Sequence, residues 1–182
     1  MLLGIDPGVN NCGLTVVDTT AGFKVITTHN VRNARKFTDV EKELEKEFNT
    51  RVVKVSAIVN KVVEMLETYP AIDYVAIEAP FYNHLTPQAY GSLLEVISAI
   101  KYNILVPRKL QFRMLEPMLV KKLFAGKGMA KKEVIKQFLI SKKEAGAISM
   151  EVDIESLSEH EIDAVAITYV HHISTHQEGP QP

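Results

Sequence analysis

A single mixed α/β domain is predicted by three features of the chain. Short β-branched runs bounded by turn residues occupy the first thirty residues, apolar stripes at spacings of three and four follow, and the two patterns then alternate. The length of 182 residues, with 46% hydrophobic and 24% charged residues, fits one globular domain with a real core. One cysteine, Cys12, excludes an intramolecular disulfide framework and reads as a buried small hydrophobe in a reducing compartment. No apolar run approaches the ~20 residues a membrane span needs. The start, Met1-Leu2-Leu3-Gly4-Ile5-Asp6, lacks a basic leader. A soluble cytoplasmic protein is expected.

Leu2–Asp6 reads as a short buried strand ended by the turn signal Asp6-Pro7-Gly8, and Gly13–Val17 and Phe23–Thr28 complete a β-meander. From Asp39 to Thr68 the period is helical, with Val52, Val55, Val59, Val62, Val63 and Leu66 recurring on one side. The charged start of this helix projects into solvent. Asp73–Glu78 is a strand too apolar for an exposed edge. Ala89–Ile104 is a buried helix with Leu93, Leu94, Ile97 and Ile100 on its stripe, stopped by Pro107. Leu110–Leu115 is a further strand. Pro117 opens the first of two basic helices, 118–124 and 130–143, divided by Gly126-Lys127-Gly128. Ser158 and Glu161 form a capping box for a last helix ending near Ile173. One domain over 1–173 and a disordered tail over 174–182 are expected.

Charge is unevenly distributed. The net charge is −1, yet residues 108–144 hold eleven basic side chains against three acids, a local +8 that leaves −9 elsewhere. Such a segment steers a polyanion even on a near-neutral protein, although two solvated Lys-rich helices would look the same.

The chemistry centres on acids at the ends of apolar runs. Asp6 and Glu78 each terminate a buried strand; if those strands are adjacent, the carboxylates meet at one sheet edge and repel unless a hard cation sits between them. His160 and Asp163 stand at i and i+3, one turn apart on one helix face, and Asp163 runs directly into Ala164-Val165-Ala166-Ile167. Four such side chains suit a two-ion site acting on a phosphodiester. Glu161 could replace His160 if the helix were rotated, but capping already explains it. His171, His172 and His176 read as surface residues of a fraying terminal helix.

Gly4-Ile5-Asp6-Pro7-Gly8 with Gly13, Ala76-Ile77-Glu78 followed by Phe81, and His160-Glu161-Ile162-Asp163-Ala164 resemble the RuvC-type Holliday-junction resolvases. Val120-Lys121-Lys122 and Gly126–Val134 are similar to that family's basic segment, and the four motifs come in the right order over nearly the whole chain. The resemblance implies a ribonuclease-H-like fold, with a five-stranded mixed sheet flanked by helices. It implies Asp6, Glu78 and Asp163 as catalytic carboxylates binding Mg²⁺ or Mn²⁺, with His160 in the fourth position. It also implies a homodimer that binds four-way DNA junctions and nicks two opposing strands symmetrically. Lys121 and Lys132 fall on junction-contacting lysines near the scissile phosphate, and Lys122, Lys127 and Lys131 belong to the same DNA-binding segment. Phe81 falls on an aromatic that stacks near the crossover; from the residues alone it would be packing, with Tyr82 as the alternative for stacking.

Competing readings are a catalytically silent junction-binding protein and a ribonuclease-H-like enzyme acting on RNA–DNA hybrids. Gly4–Gly8 also resembles the first phosphate loop of sugar kinases and actin-like ATPases, which need a second such domain that this chain lacks. The charged segment Arg32–Arg51 is longer than bacterial members are expected to carry and points to a phage-encoded variant. Many family members have Asp at the position of His160. A neutral, softer imidazole there favours Mn²⁺ over Mg²⁺; junction nicking at matched concentrations of the two ions should be faster with Mn²⁺, and equal rates would contradict this.

Overall fold

A computed structural model of the chain describes residues 1–33, 35–82, 84 and 87–177, with the side chains of 176 and 177 outside the description. The meander comprises β1 (Leu2–Asp6), β2 (Asn11–Asp18) and β3 (Lys24–Arg32), antiparallel in register from Asp6 opposite Gly13 to Asn11 opposite Arg32. Two helices follow, α1 (Asp39–Glu47) and α2 (Thr50–Thr68), then β4 (Tyr74–Glu78), α3 (Pro87–Ile100) and β5 (Gln111–Leu115). The chain closes with α4 (Pro117–Ala125), α5 (Lys132–Glu144), a two-residue β6 (Ser149–Met150) and α6 (Glu159–Gln177). The sheet order is β5-β4-β1-β2-β3-β6, with β4 parallel to both β1 and β5.

Two cores sit on opposite faces of this sheet, as the two-residue period of a strand requires. Leu3, Ile5, Val75 and Ile77 point to one, packed with α2 and α3 through Ile58, Val62, Ile97 and Ile100. Leu2, Ala76 and Leu115 point to the other, packed with α4, α5 and α6 through Val120, Phe124, Leu139, Val165 and Ile167. Burial on both faces explains why the central strands read as continuous apolar runs.

Five expectations are corrected. The sheet has six strands, because Ser149–Met150 pairs in parallel with Lys24–Val25, a strand too short to show a period. The helix expected over 39–68 is broken: Asn49 adopts φ 129° and its side chain accepts from the Arg51 and Val52 amides, starting α2 afresh. Its buried stripe is Val55, Ile58, Val62, Met65 and Leu66, while Val52 is exposed. The helix expected over 89–104 runs as α3 and then widens into a π-helical turn over Lys101–Leu105; Val96, Ile97 and Ile100 are buried and Leu94 is exposed. The terminal helix reaches Gln177, so 174–177 are helical rather than disordered; 178–182 lie outside the described residues. Among the described residues no helix is long and apolar enough to cross a membrane.

Two glycines govern how closely α6 lies on the sheet. A Cβ on Gly4 would stand 2.7 Å from the Ala164 carbonyl oxygen and 2.8 Å from Thr168 Oγ1; one on Gly13 would stand 1.9 Å from the His160 carbonyl oxygen. Only hydrogen at these positions lets the helix backbone rest directly on β1 and β2. Gly4→Ala should therefore destabilise the fold by about 1–3 kcal/mol, read as a lower urea midpoint with an unchanged slope; an unaltered midpoint would show that α6 can move aside freely.

Candidate active site

The strand register delivers the first two acids. Ile5 pairs with Ile77 across β1 and β4, so Asp6 and Glu78 follow side by side where these parallel strands end. Both share the parity of Leu2 and Ala76, hence the face covered by α6. Asp6 is also opposite Gly13, over which the His160 backbone rests, so the start of α6 lies directly beside Asp6. His160 Nδ1 and Asp6 Oδ2 are 2.7 Å apart, and Asp163 lies one turn further along the helix. The capping box holds this end of α6. Glu161 Oε2 accepts from the Ser158 amide at 2.9 Å and hydroxyl at 2.6 Å, and Oε1 accepts from Thr28 Oγ1 at 3.0 Å, pinning the helix to β3.

Electrostatics show that the acids share one environment. Burial, then the charges of Asp6 and Asp163, push the Glu78 carboxyl up to about 8, against the opposing pull of Lys121. Burial and Asp6 raise Asp163 to about 6, opposed by Lys121, Lys132 and His160. The hydrogen bond to Asp6 raises His160 above its ordinary value. Glu78 and Asp163, whose ionisation is disfavoured by burial and by the Asp6 charge, form with Asp6 a donor set suited to a hard divalent cation. In the geometry described, Asp6 Oδ2 is engaged by His160. Among the described residues no group of three or more His, Cys, Asp or Glu side chains is arranged to hold a metal ion directly. The four sequence-selected groups are thus brought together as a charge cluster and not as a closed cage.

The lysines divide into two sets. Lys121 on α4 and Lys132 at the start of α5 act electrostatically on the acids. Lys122, Lys127 and Lys131 are exposed on the surrounding helix and loops. Phe81, beyond the end of β4, is 58% exposed, which removes the packing alternative; Tyr82 is equally exposed and stands edge-on to Tyr90. Cys12 is fully buried, and burial pushes its thiol far up, as a buried hydrophobe requires. The surface reading of His171 is corrected: it is buried, stacked on Tyr74 with ring centroids 4.4 Å apart, and packs α6 onto β4. His172 lies against Phe23, and the His176 side chain is outside the described residues. Glu159 was not selected from the sequence, yet it is the ion-pair partner of Lys132; 27 residues separate them, so no local pattern could reveal the pair.

A mixed sheet whose central strands end in carboxylates, closed by a helix bearing a third, defines a ribonuclease-H-like nuclease fold. The same fold is seen in Thermus thermophilus RuvC in complex with Holliday junction substrate, with a TM-score of 0.68 at 22% identity over 100% of this chain and 98% of that one. The yeast mitochondrial Holliday junction resolvase Ydc2 shares it at a TM-score of 0.59 and 12% identity, over 97% of this chain and 84% of that one. The family model described as crossover junction endodeoxyribonuclease RuvC matches residues 2–171, and the chain belongs to that family. Crossover junction endodeoxyribonuclease RuvC of Aliarcobacter butzleri is 29% identical over 93% of this chain and 96% of its own length. The protein of that name from Campylobacter curvus is 27% identical over 94% and 97%.

The raised carboxyls set the sign of a pH effect. Glu78 and Asp163 hold protons in the folded state at pH values where the unfolded chain has released them, so stability falls as pH rises between about 4 and 8. His160 acts in the same direction, because its bond to Asp6 is strongest when protonated and is lost as pH rises through its folded value. In chelator, the melting temperature should therefore drop from pH 5 to pH 8. Adding Mg²⁺ or Mn²⁺ should restore it at pH 8, and Glu78→Gln should flatten the profile. A metal-free profile that rises over this interval would contradict the cluster.

Proposed function

We propose that this protein resolves Holliday junctions, and other branched DNA, by metal-dependent hydrolysis that introduces paired symmetric nicks. The observation that carries this reading is the meeting of Asp6, Glu78 and Asp163 at one sheet edge, within the electrostatic reach of Lys121 and Lys132, in a chain of the RuvC family. Asp6, Glu78 and Asp163 would hold Mg²⁺ or Mn²⁺, with the remaining imidazole nitrogen of His160 available as a fourth donor. When bound, two ions supply activation of the attacking water and stabilisation of the departing 3′ oxygen.

The chain's own groups do the rest. Lys121 and Lys132 bind the phosphates on either side of the acidic cleft, offsetting the repulsion between a polyanion and three carboxylates. Glu78 and Asp163 would have to be deprotonated to hold a cation, so activity should increase with pH. Asp6 orients His160 through Nδ1. Phe81 and Tyr82 offer exposed rings against which unpaired bases at the crossover can stack. A homodimer follows from symmetry: one subunit holds one acidic centre, and a four-way junction presents two equivalent strands. The work would be done in the cytoplasm, where the DNA is.

Asp6→Asn should reduce nicking of a labelled four-way junction by at least about 100-fold, more than loss of an outer partner usually costs, while junction affinity stays nearly unchanged. Loss of both together would make Asp6 structural. Lys121→Ala and Lys132→Ala should each weaken binding and reduce the salt slope by about 0.9; unaltered slopes would remove them from the interface. Light scattering of the DNA-bound protein should give two subunits per junction. Tight junction binding without cleavage in either ion would mark a silent junction-binding protein instead.

A further inference from the structure

The basic segment is less free than its composition suggests. Lys132 and Lys136 lie four residues apart on one face of α5, and each meets an acid from the segment that leads into α6. Lys136 Nζ is 2.6 Å from Glu155 Oε2, and Lys132 Nζ pairs with Glu159. The two acids are also four residues apart, on the short turn Ile154–Ser156 and at the first position of α6. Buried Ile154 and Leu157 anchor the backbone between them. A cavity of about 200 Å³ opens among Lys132, Lys136, Glu159 and Asp163, so that one acid of the cleft forms part of its wall. Two carboxylates thus already occupy two lysines of the basic segment, one pair lining the cavity that reaches Asp163.

We infer that Glu155 and Glu159 are specificity-determining residues, which occupy Lys132 and Lys136 as internal phosphate mimics and release them only to DNA already held elsewhere on the protein. The inference rests on the proposed action on branched DNA. The Lys132–Glu159 pair is exposed and so is the Glu155 side chain, while the Lys136 side chain is 27% open to solvent. An exposed pair of this kind is worth at most about five-fold in an equilibrium constant, so a phosphate can displace the carboxylate. A linear duplex brings its phosphates one encounter at a time and must compete for each lysine. A junction anchored through Lys121 and a second subunit delivers its phosphate at a high effective concentration and wins. The carboxylates therefore suppress indiscriminate binding more than junction binding, which is selectivity by a repulsive element.

The experiment compares full-length wild type, Glu155→Gln, Glu159→Gln and the double variant on a linear duplex and a four-way junction, without divalent metal, over a salt series. The double variant should bind linear duplex several-fold more tightly, and its salt slope should steepen by up to about 1.8, the value for two released lysines. The gain on the junction should be smaller. In a Lys136→Ala background the effect of Glu155→Gln should vanish, which separates release of that lysine from a general loss of negative charge. Glu155 lies on the turn Ile154–Ser156, outside α6, so this cycle stands even if Glu159→Gln perturbs the start of α6. Unchanged duplex slopes, equal gains on both DNAs, or an effect of Glu155→Gln that persists without Lys136 would each overturn the inference while leaving the nuclease reading intact. Wild type that fails to bind the junction at low salt would overturn both.

Discussion

Everything at the candidate site depends on the approach of one helix backbone to two strands. The His160 and Ala164 carbonyls occupy the space that side chains at positions 13 and 4 would fill, so α6 sits nearer the sheet than ordinary side-chain packing allows. Buried Thr168 meets its own donor requirement there by bonding back to the Ala164 carbonyl at 2.6 Å, which keeps the contact satisfied. The N-terminal end of α6 is then tied to β3 through Thr28 and Glu161. With helix and sheet so placed, Asp6, Glu78, His160 and Asp163 share one cleft. The packing of α6 on the sheet thus holds Glu78 and Asp163 where burial and neighbouring charge disfavour their ionised forms.

Much of this was legible in the chain. A carboxylate closing an apolar run is conspicuous, and the parallel pairing of β1 with β4 is what such runs need for burial on both faces. Gly4 and Gly13 could be seen as parts of motifs, but their purpose required knowing what lies over them. The site's members were thus readable and their reason for proximity was not. The helical period located α2 but only part of its buried stripe, which takes in Ile58 and Met65 and leaves Val52 exposed, and it failed where one residue decides. Asn49, whose side chain caps a new helix at a positive φ, divides a stretch that composition alone would leave continuous.

Misreadings elsewhere share a cause: polar residues whose partners are distant in sequence. His171 looked like part of a surface cluster because histidines surround it, yet Tyr74 of β4, nearly a hundred positions earlier, supplies the ring on which it stacks. Burial disfavours its charged form, so it serves as a neutral aromatic between α6 and the sheet. Lys132 and Lys136 were likewise counted as free charge in a +8 segment. Local charge sums overestimate the field wherever acids from another element neutralise the lysines, here from residues 155 and 159. A count along the chain is a statement about composition; the field a DNA strand meets depends on which of those charges are already paired.

The Asp6–His160 pair also changes how the cleft behaves without ions. With an aspartate at position 160, four carboxylates would face one another and the resting site would need a cation or several protons to remain intact. The imidazole removes one negative charge and hydrogen-bonds another, leaving Glu78 and Asp163 to relieve the remainder by holding protons, as their values of about 8 and about 6 indicate. Near neutral pH Glu78 then keeps its proton while Asp163 is largely ionised, so the cleft is only partly relieved of charge. A divalent ion held here would have to displace the Glu78 proton and compete with His160 for Asp6. On the proposed metal-dependent reading, the histidine would lower the affinity for cations while relieving charge in their absence, a balance set at a single ring nitrogen.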